Sequence, residues 1–257
     1  MAAVAHRSRL AVLLVLISAS GCQASPRLVS VDDPASPLRL ERKIALTNVK
    51  GRIDHLALDP AGKALFLAEY ANGSVDKVDL ATGAVAARIS GLHEPQGIAV
   101  LADGQLVVAS GDGLVRFYAA SDLHQIASLN LGDDADNVQI DPRNGHFLVG
   151  YGTGALAVIN PATHSLLATL DLSGHPEGFR PAGSKLFINV PDRREIVVAN
   201  LEPLKVMATW STELRFLNFP LAVDPTGHTL ARLPASGNAG SPQRDDGRDK
   251  RDPFNLR

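Results

Sequence analysis

Short apolar runs in this chain alternate with polar positions, and Asp, Asn, Pro and Gly separate the runs. From Gly51 to Leu92 the text reads GRIDHLALDP, AGKALFLAEY, ANGSVDKVDL and then ATGAVAARIS. A period of two argues for strands, and Asp-Pro-Ala-Gly, Ala-Asn-Gly and Ala-Thr-Gly between the runs are turn chemistry that leaves no room for an ordinary helix. The stretch predicts one small antiparallel sheet of four strands.

The same pattern returns about every 41 residues, near the period of a four-stranded propeller blade. First strands are expected at Leu56-Ala57-Leu58, Ile98-Ala99-Val100, Val138-Gln139-Ile140, Phe179-Arg180 and Leu221-Ala222-Val223. Each leads to a turn with a glycine (Gly62, Gly104, Gly145, Gly183, Gly227), where a positive φ costs least. Second strands follow at Leu65, Leu106, Phe147 and Leu186, third strands at Val75, Leu114, Ala155 and Glu195, and fourth strands at Val85, Gln125, Leu166 and Val206. The fold class is therefore all-β: a β-propeller of four-stranded antiparallel blades over residues 39–232, with four to five blades present. Lys43-Ile44-Ala45-Leu46 aligns with the fourth strands, which predicts an N-terminal strand closing a blade begun elsewhere.

The segments LFLAEYANGSVDKVDLATGAV, LVVASGDGLVRFYAASDLHQI, FLVGYGTGALAVINPATHSLL and LFINVPDRREIVVANLEPLKV resemble YVTN-type β-propeller repeats. That group is related to WD40-like propellers and to the haem d1 domain of cytochrome cd1 nitrite reductase. The resemblance implies a propeller fold but no single activity, since fold does not fix function. Relatives usually have seven blades, so the chain reads as incomplete. A fifth module fades after His228 to Leu233, and residues 233–257 are polar and charged, as expected of a disordered tail. The alternatives are a native tail on a short open array or a coding sequence cut in the fifth blade, which would leave a truncated, non-functional remnant.

The N-terminus adds an address. His6, Arg7 and Arg9 precede an apolar core from Leu10 to Ile17 that is too short to span a bilayer, and small residues follow, so residues 1–21 read as a bacterial signal peptide. Ala19-Ser20-Gly21-Cys22 resembles a lipoprotein lipobox, which implies acylation of Cys22 and an exported, periplasmic protein held at the membrane by a lipid anchor alone. Cleavage nearby without an anchor is the alternative. Residues 22–38 are rich in Pro, Ser and Asp and read as a flexible tether.

Composition changes this picture little. A formal charge of −2, with 45% hydrophobic and 20% charged residues, gives no basic footprint for nucleic acid. The single cysteine rules out an internal disulfide.

Candidate chemistry collects at one end of the blades, because loops leading into first strands and loops between second and third strands emerge together. Just before the innermost strands stand Asp54, Gln96, Asp136 and Glu177, with Arg52, Glu94, Asp134 and His175 further upstream and His55, His93 and Asn137 beside them. These side chains are expected to converge on the axial mouth, as ligand-binding groups or as caps on exposed backbone donors. Carboxylates with histidines suit a small polar ligand or a divalent cation, and the face also suits a protein partner. There is no CxxCH, HExxH or Gly-x-Ser-x-Gly sequence, so covalent c-type haem is excluded and zinc-protease or serine-hydrolase chemistry has no motif. The expected role is a binding or scaffold module, and the alternative is a periplasmic lactonase or oxidoreductase using a metal or redox cofactor in this ring.

Overall fold

The computed structural model describes residues 39–212, 221–224 and 230–232. The segments read as signal peptide and tether (1–38, Cys22 included), Arg215 to Asn218, Gly227, His228 and residues 233–257 lie outside the described residues.

Four complete blades follow one another in the chain. The first is β1 (Ile53–Leu58), β2 (Ala64–Glu69), β3 (Ser74–Asp79) and β4 (Ala84–Ser90); the second is β5 (Pro95–Val100), β6 (Gln105–Ser110), β7 (Leu114–Ala119) and β8 (Gln125–Asn130). The third is β9 (Ala135–Ile140), β10 (Phe147–Tyr151), β11 (Ala155–Asn160) and β12 (Ser165–Asp171). The fourth is β13 (Phe179–Ala182), β14 (Lys185–Val190), β15 (Glu195–Leu201) and β16 (Leu204–Ser211), after which β17 (Leu221–Val223) and β18 (Leu230–Arg232) pair as part of a fifth. Within each sheet the strands lie in sequence order, antiparallel to their neighbours, as a propeller blade requires. The turn glycines behave as expected: Gly62, Gly104, Gly145 and Gly183 all have positive φ, between 58° and 88°.

The core is a series of layers between successive blades. Phe66, Val75 and Leu106 join the first blade to the second; Phe117 and Phe147, with ring centroids 5.9 Å apart, join the second to the third. Leu148, Leu156, Phe179 and Ile188 continue the series, and Leu221 packs against Phe187 and Val198 of the fourth blade. Second strands are buried on both faces, whereas fourth strands alternate and expose Val85, Ile126, Leu166 and Val206. This gradient follows from packing between successive blades, and β1, which begins the series, accordingly leaves Leu56 and Leu58 exposed as well.

One expectation is corrected. Lys43 to Leu46 form no strand; the segment runs irregularly beside the first blade. Local polar bonds take the place of a ladder: the Arg42 guanidinium donates to the carbonyls of Leu80 and Ala81, and the Asn72 side chain accepts from the Lys50 N–H and donates to the Asn48 carbonyl, at 2.8 and 2.9 Å.

Candidate functional site

In the first three blades the innermost strand is irregular at the same place. In β1 the pair Asp54 and His55 stands opposite a single residue of β2, because Ile53 pairs with Glu69 and Leu56 with Leu67. Gln96 and Gly97 in β5, and Asp136 and Asn137 in β9, repeat the two-against-one count. Ahead of β13, the Glu177 N–H donates to the Asn189 carbonyl and the Gly178 carbonyl accepts from the Asn189 N–H, which sets Glu177 and Gly178 in the corresponding position. Asp54, Gln96 and Asp136 thus lie inside their strands at β-bulges, not in the preceding loops. A bulge turns a side chain out of the regular alternation, and here it aims one polar residue per blade toward the axis. Upstream, Glu94 and Asp134 have left-handed backbones, φ 48° and 38°, which non-glycine residues adopt at an energetic cost.

The bulges bring together residues from three blades. Asp54, His55 and Asp136 each offer a donor atom within 4.8 Å of the others, and so do Asp136, His175 and Glu177. Asp136 belongs to both groups. It is 8% exposed, and its Oδ1 is buried with no hydrogen-bond partner; the buried Nδ1 of His55 is likewise unpartnered. The other Asp136 oxygen, Oδ2, lies 3.6 Å from His175 Nε2, an ion-pair distance rather than a hydrogen bond. His175 is fixed from its far side, where Nδ1 sits 2.5 Å from the Gly152 carbonyl and so carries the donating proton.

The remaining candidates divide between support and rim. Gln96 Nε2 donates to Asp134 Oδ1 at 3.0 Å, and Asn137 Nδ2 donates to the Glu177 carbonyl at 2.9 Å, so both amides bridge neighbouring blades. Arg52 is exposed, lies over the Tyr70 ring at 4.0 Å and comes within 3.5 Å of Asp54. Glu94 and His93 stand beside Gly111 and belong to neither donor group, and a hydrogen bond to Glu94 raises the pKa of the Tyr70 phenol. Glu69, at the end of β2, is fully buried and accepts from Ser74 and Asn72. Two features have no plain signal in the text: the bulges, and the close approach at Gly97, where a Cβ would lie 1.9 Å from the Asp136 carbonyl oxygen. Glycine two residues after Glu-Pro is the faint trace of the second.

Electrostatics at the mouth depart from ordinary values. Burial, then Asp136, push Glu177 up to about 7. Burial would lower His175, but Asp136, the Gly152 carbonyl and the carboxylates of Glu177 and Asp134 outweigh it and raise the imidazole to about 9. Asp54 is raised as well, mainly by burial, against the pull of His55 and Arg52. For both His175 and Glu177 the folded protein binds its proton more tightly than the unfolded chain does. The stability from Glu177 is therefore full below its unfolded value of 4.5 and lost as pH rises through about 7; that from His175 is full below 6.5 and lost through about 9. Away from the mouth, Asp112 and Asp141 are lowered, because Arg116 and Arg143 overcome the opposing effect of burial, so their stabilisation disappears in acid. Melting temperature is expected to peak near pH 4.5 and to decline from there through pH 7 toward pH 9, a loss of stability on the order of 1–2 kcal/mol after allowance for solvent screening. Thermal melts across pH 3 to 10 check this, and Asp136→Asn should flatten the alkaline limb; an unchanged limb would show that the pair is not the cause.

The chain matches no protein-family model and no curated protein sequence. Among solved structures it is similar to hydrazine synthase of Kuenenia stuttgartiensis, with a TM-score of 0.66 at 18% identity, covering 77% of this chain and 61% of that one. It is also similar to a chain of a mitotic checkpoint complex, with a TM-score of 0.65 at 15% identity, covering 72% of this chain and 61% of the other. The chain spans about three fifths of the length of each neighbour, and at these identities the likeness is one of fold, a propeller with an incomplete ring of blades.

Proposed function

We propose that this protein is an exported, lipid-anchored propeller of the YVTN type whose axial mouth binds a small polar ligand carrying positive charge. The observation that carries the reading is the convergence of Asp54, Asp136 and Glu177 from three blades around one buried, unpartnered carboxylate oxygen. Carboxylates sharing one mouth repel each other, and His175 offsets that repulsion on one side of Asp136 only. A cationic ligand relieves it, and a group that binds the folded state raises the melting temperature by mass action, about 2.7 kcal/mol at a hundredfold excess over Kd.

A fluorescence melt against a panel of small primary amines, diamines and amino sugars tests the reading. At least one should stabilise the wild type, and the shift should vanish in Asp136→Asn while surviving in Asp122→Asn, whose carboxylate lies in an exposed turn against His124. A panel without effect, or shifts equal in both variants, would refute axial binding.

The anchor rests on the Ala19-Ser20-Gly21-Cys22 junction behind a short apolar core. Cys22→Ser should move the protein from the membrane to the soluble fraction on cell lysis. An intact mass of the membrane form without an acyl addition would rule the anchor out.

A further inference from the structure

We propose that the axial mouth holds one divalent transition-metal ion, ligated by Asp136, His55 and Asp54 where the bulges of β9 and β1 face each other. The inference deepens the ligand-binding reading of the same mouth and rests on it. Three geometric facts point to this seat. Asp54, His55 and Asp136 each present a donor atom within 4.8 Å of the others. Two of the three residues carry a buried polar atom without a hydrogen-bond partner, Asp136 Oδ1 and His55 Nδ1, the latter 4.0 Å from Asp54 Oδ2, and the Asp136 side chain is 12% exposed. A buried carboxylate oxygen with no partner is expensive unless something occupies the position before it. Moreover, the neighbouring groups are already engaged: His175 donates through Nδ1 to the Gly152 carbonyl and pairs through Nε2 with Asp136 Oδ2, leaving Oδ1 for the opposite side.

The donor chemistry selects the class of ion. Two carboxylates and one imidazole form a mixed oxygen and nitrogen set, which suits zinc, cobalt, manganese or ferrous iron better than calcium or magnesium, whose ligands are oxygens. Ligand bonds of about 2.0–2.2 Å place donors at most roughly 4.4 Å apart across the ion. Three donors on one low-coordinate ion lie roughly 3.3–3.8 Å apart, so atoms now within 4.8 Å of one another need to close by at most about 1.5 Å, a movement within reach of side-chain rotation on irregular strands. His175 then acts outside the ligand set, orienting Asp136 much as carboxylates and carbonyls orient ligating histidines elsewhere. With three protein ligands, the remaining coordination positions face the axial mouth and can be filled by water or a ligand group.

Full-length protein, stripped with a chelator and dialysed, should be titrated with zinc chloride by calorimetry and with cobalt chloride by visible absorbance. The expected result is one ion per chain, with cobalt giving d–d bands characteristic of low coordination number. Affinity should fall more than a hundredfold in Asp136→Asn, at least tenfold in His55→Gln, and no more than a few-fold in Glu177→Gln. His55 is about one-third exposed, so His55→Gln keeps the fold and its loss reads ligation alone. A larger loss in Glu177→Gln than in His55→Gln would move the ion to the Asp136, His175 and Glu177 group and overturn the assignment. No zinc binding to the wild type above that of Asp136→Asn would overturn the metal site altogether. If amines still stabilise the wild type in that case, the ligand-binding reading stands and only the metal falls; if neither binds, both fall.

Discussion

Replacing Arg88 by leucine is expected to lower the stability of the protein by about 3–5 kcal/mol, the usual result of leaving buried carboxylates without their counter-ion. Arg88 in β4 stands directly opposite Asp76 in β3, and its fork grips that carboxylate through Nε at 2.5 Å and Nη2 at 2.7 Å. The same Nη2 lies 3.5 Å from Glu69 Oε2. Asp76 and Glu69 are both fully buried, and Glu69 Oε1 has no hydrogen-bond partner. Ser74 and Asn72 still donate to Glu69 in the variant, but nothing then faces Asp76. Arg88→Lys should recover only part of the loss, since an ammonium cannot reproduce the two parallel bonds. Pairing Arg88→Leu with Asp76→Leu should recover more, because an apolar pair of similar volume removes the buried charge itself. Urea melts of the wild type, Arg88→Leu, Asp76→Leu and the double variant complete this double-mutant cycle, with Arg88→Lys measured alongside. If Arg88→Leu loses less than about 1 kcal/mol, the network is no more than a solvent-screened surface pair.

Gly97→Ala should damage stability and site together. The added Cβ would meet the Asp136 carbonyl oxygen at 1.9 Å, and Val138 Cγ2 and N at 2.8 and 2.9 Å, so backbone must move. Overpacking against flexible side chains costs about 1–3 kcal/mol; against backbone the cost should reach about 3 kcal/mol, a fall of roughly 6–12 °C in Tm for a domain of this size. The displaced strand is β9 at its bulge, which carries Asp136. Ligand stabilisation in the amine panel should therefore drop with Tm, whereas Arg88→Leu, which acts in β3 and β4, should lower Tm and leave the ligand-induced shift in place. Comparing the ligand-induced shift in the two variants separates a stability effect from a site effect. An alanine variant that melts and binds like the wild type would show that the inner strands are not in the close contact described here.

What the sequence determined by itself was the blade. Short apolar runs such as Leu65 to Ala68 or Leu106 to Ala109, preceded by turns at Gly62 and Gly104, are a local code, since a run of this length bounded by turns reads as a strand buried on both faces and a positive φ favours glycine whatever the surroundings. The same local logic placed the polar residues at one end. It failed at Lys43 to Leu46, where an alternating tetrapeptide has no ladder to join and the bonds made by Arg42 and Asn72 hold the chain differently. Tertiary structure alone decided which polar residues meet. Gln96 and Asp136 occupy equivalent positions, yet one bridges to Asp134 and the other lies among Asp54, His55, His175 and Glu177. That outcome depends on the two-against-one bulges, on the arrangement of blades that brings the side chains of Asp54 and His55 near Asp136, and on the absence of a Cβ at Gly97. The bulges are relations between paired strands and the other two between residues roughly 40 or 80 positions apart, and periodicity within a single strand carries no information about any of them.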